Sequence, residues 1–212
     1  MTEKPILFKP HLIKAILEGR KWQTRRLITK FVAPSRNERG YPKISEFGRS
    51  NTKGYDFHFR DDRTSCWNDV KEDWVLERCP YGVAGGILWV KESFLKIVPD
   101  HFQCCPYGYR GDYTEKEAKE IHGWTSALFM PRDVCRLELP LKSVRIERLR
   151  DISPEDALAE GIEMRGWSQD APFNAVNDFR KLWDSINGKK PGASWIDNPW
   201  NWVLEWDPKG EK

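Results

Sequence analysis

Residues 200–206 read Trp-Asn-Trp-Val-Leu-Glu-Trp. Side chains alternate across an extended chain, so Trp200, Trp202, Leu204 and Trp206 share one side and Asn201, Val203 and Glu205 the other. The stretch predicts a closing strand with one aromatic face. A further strand is expected at 143–148, where Val144 and Ile146 alternate with charged residues, as in a half-buried strand. Ile87-Leu88-Trp89-Val90 predicts a third strand, and short strands are expected at 5–8 and 23–28. Further strands are expected at 108–112, 127–130 and 132–139.

Helices are fewer. Pro10 opens one in its first turn, where the missing N–H costs nothing, and Leu12, Ile13, Ile16 and Leu17 follow at helical spacing up to Gly19. Ser153 caps a second, with Pro154, Glu155 and Asp156 in its first turn and Gly161 at its end. A longer helix is expected at 172–186, with Phe173, Val176, Phe179, Trp183 and Ile186 on one face. Trp67, Val70, Trp74 and Val75 suggest a short amphipathic helix. Many strands with few helices predict an α+β fold, barrel-like or mixed. Residues 33–63, broken by Pro34, Gly40, Pro42, Gly48 and Gly54, read as a long polar excursion outside the main sheet.

The 212 residues suit a single domain, 1–212, with elaborations. Hydrophobic residues make up 39% and charged residues 32%, so the core leans on eleven Trp and ten Phe. Trp89, Trp183, Trp202 and Trp206 are expected in it. No apolar run approaches the roughly 20 residues that span a bilayer. Met1-Thr2-Glu3-Lys4-Pro5 lacks the pattern of a secretory signal, so a cytoplasmic protein without membrane contact is expected. No obligate protein partner is inferred. The five cysteines are then expected as reduced thiols. Cys104-Cys105 lies near His101 and His122, but no Cys-x-x-Cys pair exists, and neither metal nor cofactor is expected. The net charge of +3 is small. Its basic residues cluster at Arg20, Lys21, Arg25, Arg26 and Lys30, and again at Arg145, Arg148 and Arg150. These are either a solvated surface or a phosphate-facing rim.

Gly19-Arg20-Lys21-x-x-Thr24-x-Arg26, directly after a short amphipathic helix, resembles the opening of ASCH domains, members of the PUA-like superfamily. The acidic helix after Asp151-Ile152 and the closing strand Trp202-Val203-Leu204-Glu205-Trp206 resemble later parts of the same family. Cys79-Pro80-Tyr81-Gly82, Leu88-Trp89-Val90-Lys91-Glu92, Met130-Pro131-Arg132 and Leu182-Trp183-Asp184-Ser185-Ile186-Asn187-Gly188 resemble its longer phage and prophage members. Where that subgroup often carries an Asp, this chain has Gly85-Gly86.

The resemblance implies a PUA-like β-barrel with peripheral helices, whose cleft binds RNA or a modified nucleoside. Compact members hydrolyse N4-acetylcytidine through a Lys, a Thr and a Glu, which carry over onto Lys21, Thr24 and, by a weaker match, Glu160. These three are then expected around one solvent-reachable cleft. A Thr hydroxyl needs a base to become a nucleophile. A Lys amine serves only if its pKa, about 10.4 when free, is lowered. Glu160 precedes Gly161 at a helix C-terminus, where negative charge is slightly unfavourable. The nucleic-acid contacts implied are Arg20, Trp22, Arg25, Arg26, Arg145 and Arg148, with Trp22 as a base-stacking candidate. Two readings stay open: an amidohydrolase acting on an N4-acylated cytidine, and a non-catalytic RNA-binding module. An RNA-cleaving enzyme is a poorer third, because no His pair or acidic metal cluster supports it.

Overall fold

A computed structural model describes residues 2–97, 106–163 and 171–208. The fold is α+β, built on a five-stranded sheet. Its strands are β1 (Glu3–Leu7), β2 (Gln23–Leu27), β6 (Ile87–Lys91), β9 (Glu138–Arg148) and β10 (Trp200–Trp206), in the order β1-β6-β9-β10-β2. β10 lies between β9 and β2, antiparallel to both, with Trp202 opposite Ile146 and Arg26. β1 runs parallel to β6. Helix α1 (Pro10–Leu17) follows β1 and buries Leu12, Ile13, Ala15 and Ile16.

The backbone ladder is open. β1 and β2 are its two edges, and no strand pairing joins them among the described residues. A side chain spans the seam instead: Arg26 Nη2, on β2, donates to the Leu7 carbonyl at the end of β1, 2.7 Å away.

Residues 33–63 depart from the expected excursion. β3 (Ile44–Arg49) and β4 (Phe57–Asp61) pair with β5 (Trp67–Val70) in a separate three-stranded sheet. They stay outside the main sheet, yet Ile44, Phe57 and Phe59 are buried in its core. Phe31 joins the two layers: its ring centroid lies 5.1 Å from Phe59 and 6.1 Å from Trp202. The turn-forming residues gather at 50–56, between β3 and β4, while the aromatic residues face inward. Trp67 to Val75 is likewise not one helix, because Val70 pairs with Phe57 and only α2 (Glu72–Leu76) is helical.

β7 (Phe94–Lys96) pairs with β8 (Tyr107–Tyr109) in a third, two-stranded sheet. The strand expected at 108–112 turns into a 3-10 helix after Tyr109. α3 (Glu115–Glu120) follows, with a capping box at Thr114 and Glu117. The strands expected at 127–130 and from 132 are 3-10 turns at Ala127–Phe129 and Arg132–Val134. Ser126 caps the first turn through the Leu128 N–H, and Pro131 has no N–H to give a ladder. β9 begins only at Glu138 and continues unbroken to Arg148.

Ser153 caps α4 (Pro154–Ala159) by accepting the Asp156 N–H. α4 packs against α5 (Ala171–Asn187) around Leu149, Ile152, Ala157, Phe179 and Trp183. Phe173, expected on that face, lies outside the described side chains, and Ile186 is exposed. Trp202, Trp206 and Trp183 are buried, whereas Trp89 is half-buried beside Lys91 and Arg132. No described helix is long and apolar enough to cross a membrane.

If β3–β5 is part of the core, Phe59→Ala should cost about 3–5 kcal/mol, the usual loss for a fully buried Phe. Phe129→Ala, at a side chain facing solvent, should leave stability almost unchanged. Urea unfolding of the two variants makes the comparison, and equal midpoints would place Phe59 outside the cooperative unit.

Candidate active site

Two glycine turns meet at the start of β2. Gly19 (φ +71°) reverses the chain after α1, so that the N–H groups of Arg20 and Lys21 both donate to the Ala15 carbonyl, at 2.9 and 3.0 Å. Gly161 (φ +92°) ends α4, and a β-carbon there would lie 3.1 Å from the β-carbons of both Ala15 and Lys21. Only glycine combines that φ with that closeness. The contact sets Lys21 opposite Glu160 in an antiparallel bridge, and the Trp22 N–H donates to the Ala159 carbonyl at 3.0 Å.

Lys21 Nζ donates to Glu160 Oε2 at 2.7 Å, to the Glu160 carbonyl at 2.9 Å and to the Gln23 carbonyl at 2.8 Å. All three donors of the ammonium are thereby used. Lys21 is 1% exposed and Glu160 4%. Burial holds the Lys21 pKa below its ordinary value; the Glu160 carboxylate opposes that shift, and Arg26 and Arg25 add to it. Glu160 Oε1 is buried and has no hydrogen-bond partner among the described residues; Arg25 Nη1 lies 3.7 Å away.

Glu160 and Thr24 line a cleft of about 490 Å³ in the seam between β1 and β2. Leu7, Phe8 and Lys9 form one wall, and Phe179, Trp183 and Lys190 another. The Thr24 hydroxyl has no hydrogen bond to a described residue. Lys21 does not line the cleft. The expectation of a solvent-reachable amine is corrected on this point, because three acceptors draw it inward behind Glu160. No hydrogen bond joins Lys21 to Thr24.

The arginines expected at a phosphate-facing rim are largely engaged with the protein itself. Arg25 Nη2 donates to Glu147 at 2.8 Å and Asp156 at 2.7 Å. Arg145 pairs with Glu147, Glu205 and Asp156. Arg20 pairs with Glu18 and Glu163. Arg148 donates to the Asn198 carbonyl at 2.9 Å and lies over the Trp200 ring. Arg26 differs. Its guanidinium lies over Phe8 and reaches the Leu7 carbonyl, but no carboxylate of the described residues pairs with it, and its Nε has no partner. Trp22 is outside the cleft, on a separate surface beside Arg20 and Leu158.

Comparison of the chain with protein-family models, curated proteins and solved structures returns no match. The site therefore rests on its own geometry. Sequence reasoning missed Tyr81, Phe179 and Trp183 as cleft residues. Trp183 is both core and cleft wall, and helical periodicity alone does not separate those roles. Tyr81, in the Cys79-Pro80-Tyr81-Gly82 run, lies on the cleft, where burial raises its phenol pKa. No group of three potential metal ligands occurs among the described residues, and His101, Cys104 and Cys105 lie outside them.

Lys21→Met should cost about 3–5 kcal/mol, because it leaves the Glu160 carboxylate buried without its cation. Lys21→Met combined with Glu160→Leu should recover most of that loss. Denaturant titration of both variants checks the pair, and a single variant as stable as the parent would show that the pair does not hold the two turns together.

Proposed function

We propose that this chain is an ASCH-type, PUA-like protein that binds a modified pyrimidine nucleoside in its seam cleft and hydrolyses an N4-acyl group from it. On this reading the curled sheet, with its two edges meeting across Arg26 and Leu7, corresponds to a PUA-like barrel left open at the ligand site. The observation that carries the proposal is the Lys21–Glu160 pair directly behind a cleft lined by Thr24, with Glu160 Oε1 left without a donor. The cleft volume suits a small ligand better than a polymer. The internal ion pairs of Arg20, Arg25 and Arg145 also leave little free charge for a phosphate backbone.

The chemistry balances. Burial favours the neutral amine of Lys21. A neutral amine then takes the Thr24 hydroxyl proton as the oxygen attacks the acyl carbonyl, with Arg26 donors stabilising the oxyanion. Reaching Thr24 requires Lys21 to exchange one of its present acceptors for the hydroxyl. The proton that Lys21 takes from Thr24 is relayed through the Glu160 carboxylate to N4 as the C–N bond breaks, releasing cytidine and leaving an acyl ester on Thr24. Water hydrolyses that ester, yielding the carboxylic acid and restoring the hydroxyl.

Incubation with N4-acetylcytidine, followed by chromatography, should show cytidine and acetate. Thr24→Val, nearly isosteric, should abolish release while keeping the fold. Glu160→Gln should slow it by about 10²–10⁴-fold. Because the amine acts deprotonated and burial lowers its pKa, kcat/KM should climb with pH and level off below the ordinary lysine value. Full activity in Thr24→Val would exclude the covalent route, and a flat pH profile would remove Lys21 as the base.

A further inference from the structure

The cleft follows the edge of β2, not one of its faces. Thr24, Arg25, Arg26 and Leu27 are consecutive and all line it, although alternate residues of a strand point to opposite faces. The main chain therefore matters here as much as the side chains.

In an antiparallel pair, alternate residues direct both backbone groups at the partner and the others direct both away. The parity is visible at the two ends of β2. The Trp206 N–H donates to the Trp22 carbonyl at 3.0 Å, and the Ile28 N–H donates to the Trp200 carbonyl at 3.1 Å. Even-numbered residues of β2 thus face β10, in register with Leu204 opposite Thr24 and Trp202 opposite Arg26. Odd-numbered residues face the free edge. The Gln23 carbonyl accepts Lys21 Nζ, and the Thr29 carbonyl accepts the Ile44 N–H at 3.1 Å, both on the side away from β10.

The free edge is thus closed at both ends and open in the middle. Lys21 and Glu160 close one end, and the start of β3 closes the other. Between them, the N–H and C=O groups of Arg25 and Leu27 have no hydrogen-bond partner among the described residues. The two residues are spaced about 7 Å along the strand. Beside the opening is Glu160 Oε1, an acceptor on a residue 4% exposed and likewise without a donor.

We propose that this open stretch of β2 is the base-reading element: a pyrimidine docks edge-on against it, as a short additional strand would. One main-chain N–H, of Arg25 or Leu27, donates to the ring nitrogen of the base. The exocyclic N–H donates to Glu160 Oε1. The base is then selected by main-chain groups that no substitution other than proline removes, and the sugar is left towards the mouth of the cleft. The inference deepens the nucleoside reading above and rests on it.

The test is a ¹⁵N-labelled full-length chain titrated with cytidine and, separately, with 3-deazacytidine, which lacks the ring-nitrogen acceptor. The amide protons of Arg25 or Leu27 should move on binding cytidine, while those of Thr24 and Arg26, already bonded to β10, stay near their free positions. 3-Deazacytidine should bind at least tenfold more weakly. Where the Leu27 amide is the one that moves, Leu27→Pro, which removes that edge N–H without taking a bond from the β2–β10 ladder, should weaken cytidine at least tenfold more than Leu27→Ala does. Should the proline variant not fold, the amide shifts still decide. If cytidine binds, or N4-acetylcytidine is hydrolysed, while both edge amides stay still, the edge readout is overturned and the nucleoside reading stands. If the edge amides move but no acyl group is released, the edge readout stands and the hydrolase reading falls. If no nucleoside binds, both fall.

Discussion

The buried contact between Lys21 and Glu160 organises the rest of the molecule. Removing two charges from water costs several kcal/mol for each ion, and their attraction repays this only when the remaining donors are also satisfied. Here every ammonium proton has an acceptor, two of them main-chain carbonyls. Such an arrangement tolerates little displacement. It therefore ties the turn after α1, the start of β2 and the end of α4 to one place. Glu160 is seated at the head of the β2 edge, no described strand pairs along the rest of it, and the sheet stays open at its seam.

The second sheet performs the matching task at the far end of that edge. After β2 the chain runs through Phe31, whose ring meets Phe47, Phe59, Trp74 and Trp202. Edge-to-face contacts of this kind are worth about 0.5–1.5 kcal/mol each beyond the area they bury. They hold β3–β5 against the main sheet and bring the Ile44 N–H to the Thr29 carbonyl. A segment that looks peripheral by composition thus sets the length of free strand edge.

Much of this was legible in the residues. The alternation of 200–206 and of 143–148 marked both segments as strands, although β10 is buried on both faces, with Asn201 and Val203 as enclosed as Trp202 and Leu204. Pro10, Gly19, Ser153, Pro154 and Gly161 marked both helices by local chemistry that tertiary packing does not override. Lys21 and Glu160 were matched through family likeness, and the contact between them follows from two turns that no local pattern places side by side. What could not be read was long-range. Phe57 and Phe59 sit among Gly, Ser and Asp, so the composition of 33–63 hid its strands. Leu128 and Phe129 suggested a strand yet point to solvent from a 3-10 turn. The clustered arginines were read as free charge because their partners Glu147, Asp156 and Glu205 lie far away in the chain.

Those partners explain where recognition is left to happen. Val203 lies between Arg145 on β9 and Arg25 on β2, and both arginines reach Asp156 of α4. Charges distributed this way neutralise one another, and a partner approaching that face would have to replace ion pairs already made, for little net gain. The seam is the opposite case. There a carboxylate oxygen, a hydroxyl, an arginine nitrogen and the edge of a strand each lack a partner among the described residues, within one cleft. Buried polar groups without partners cost free energy in the unliganded protein. A ligand that supplies those hydrogen bonds recovers that cost on binding, whereas one of similar shape that cannot supply them leaves the penalty in place. Discrimination at this site accordingly depends on matching donors to acceptors more than on charge or on the area of contact.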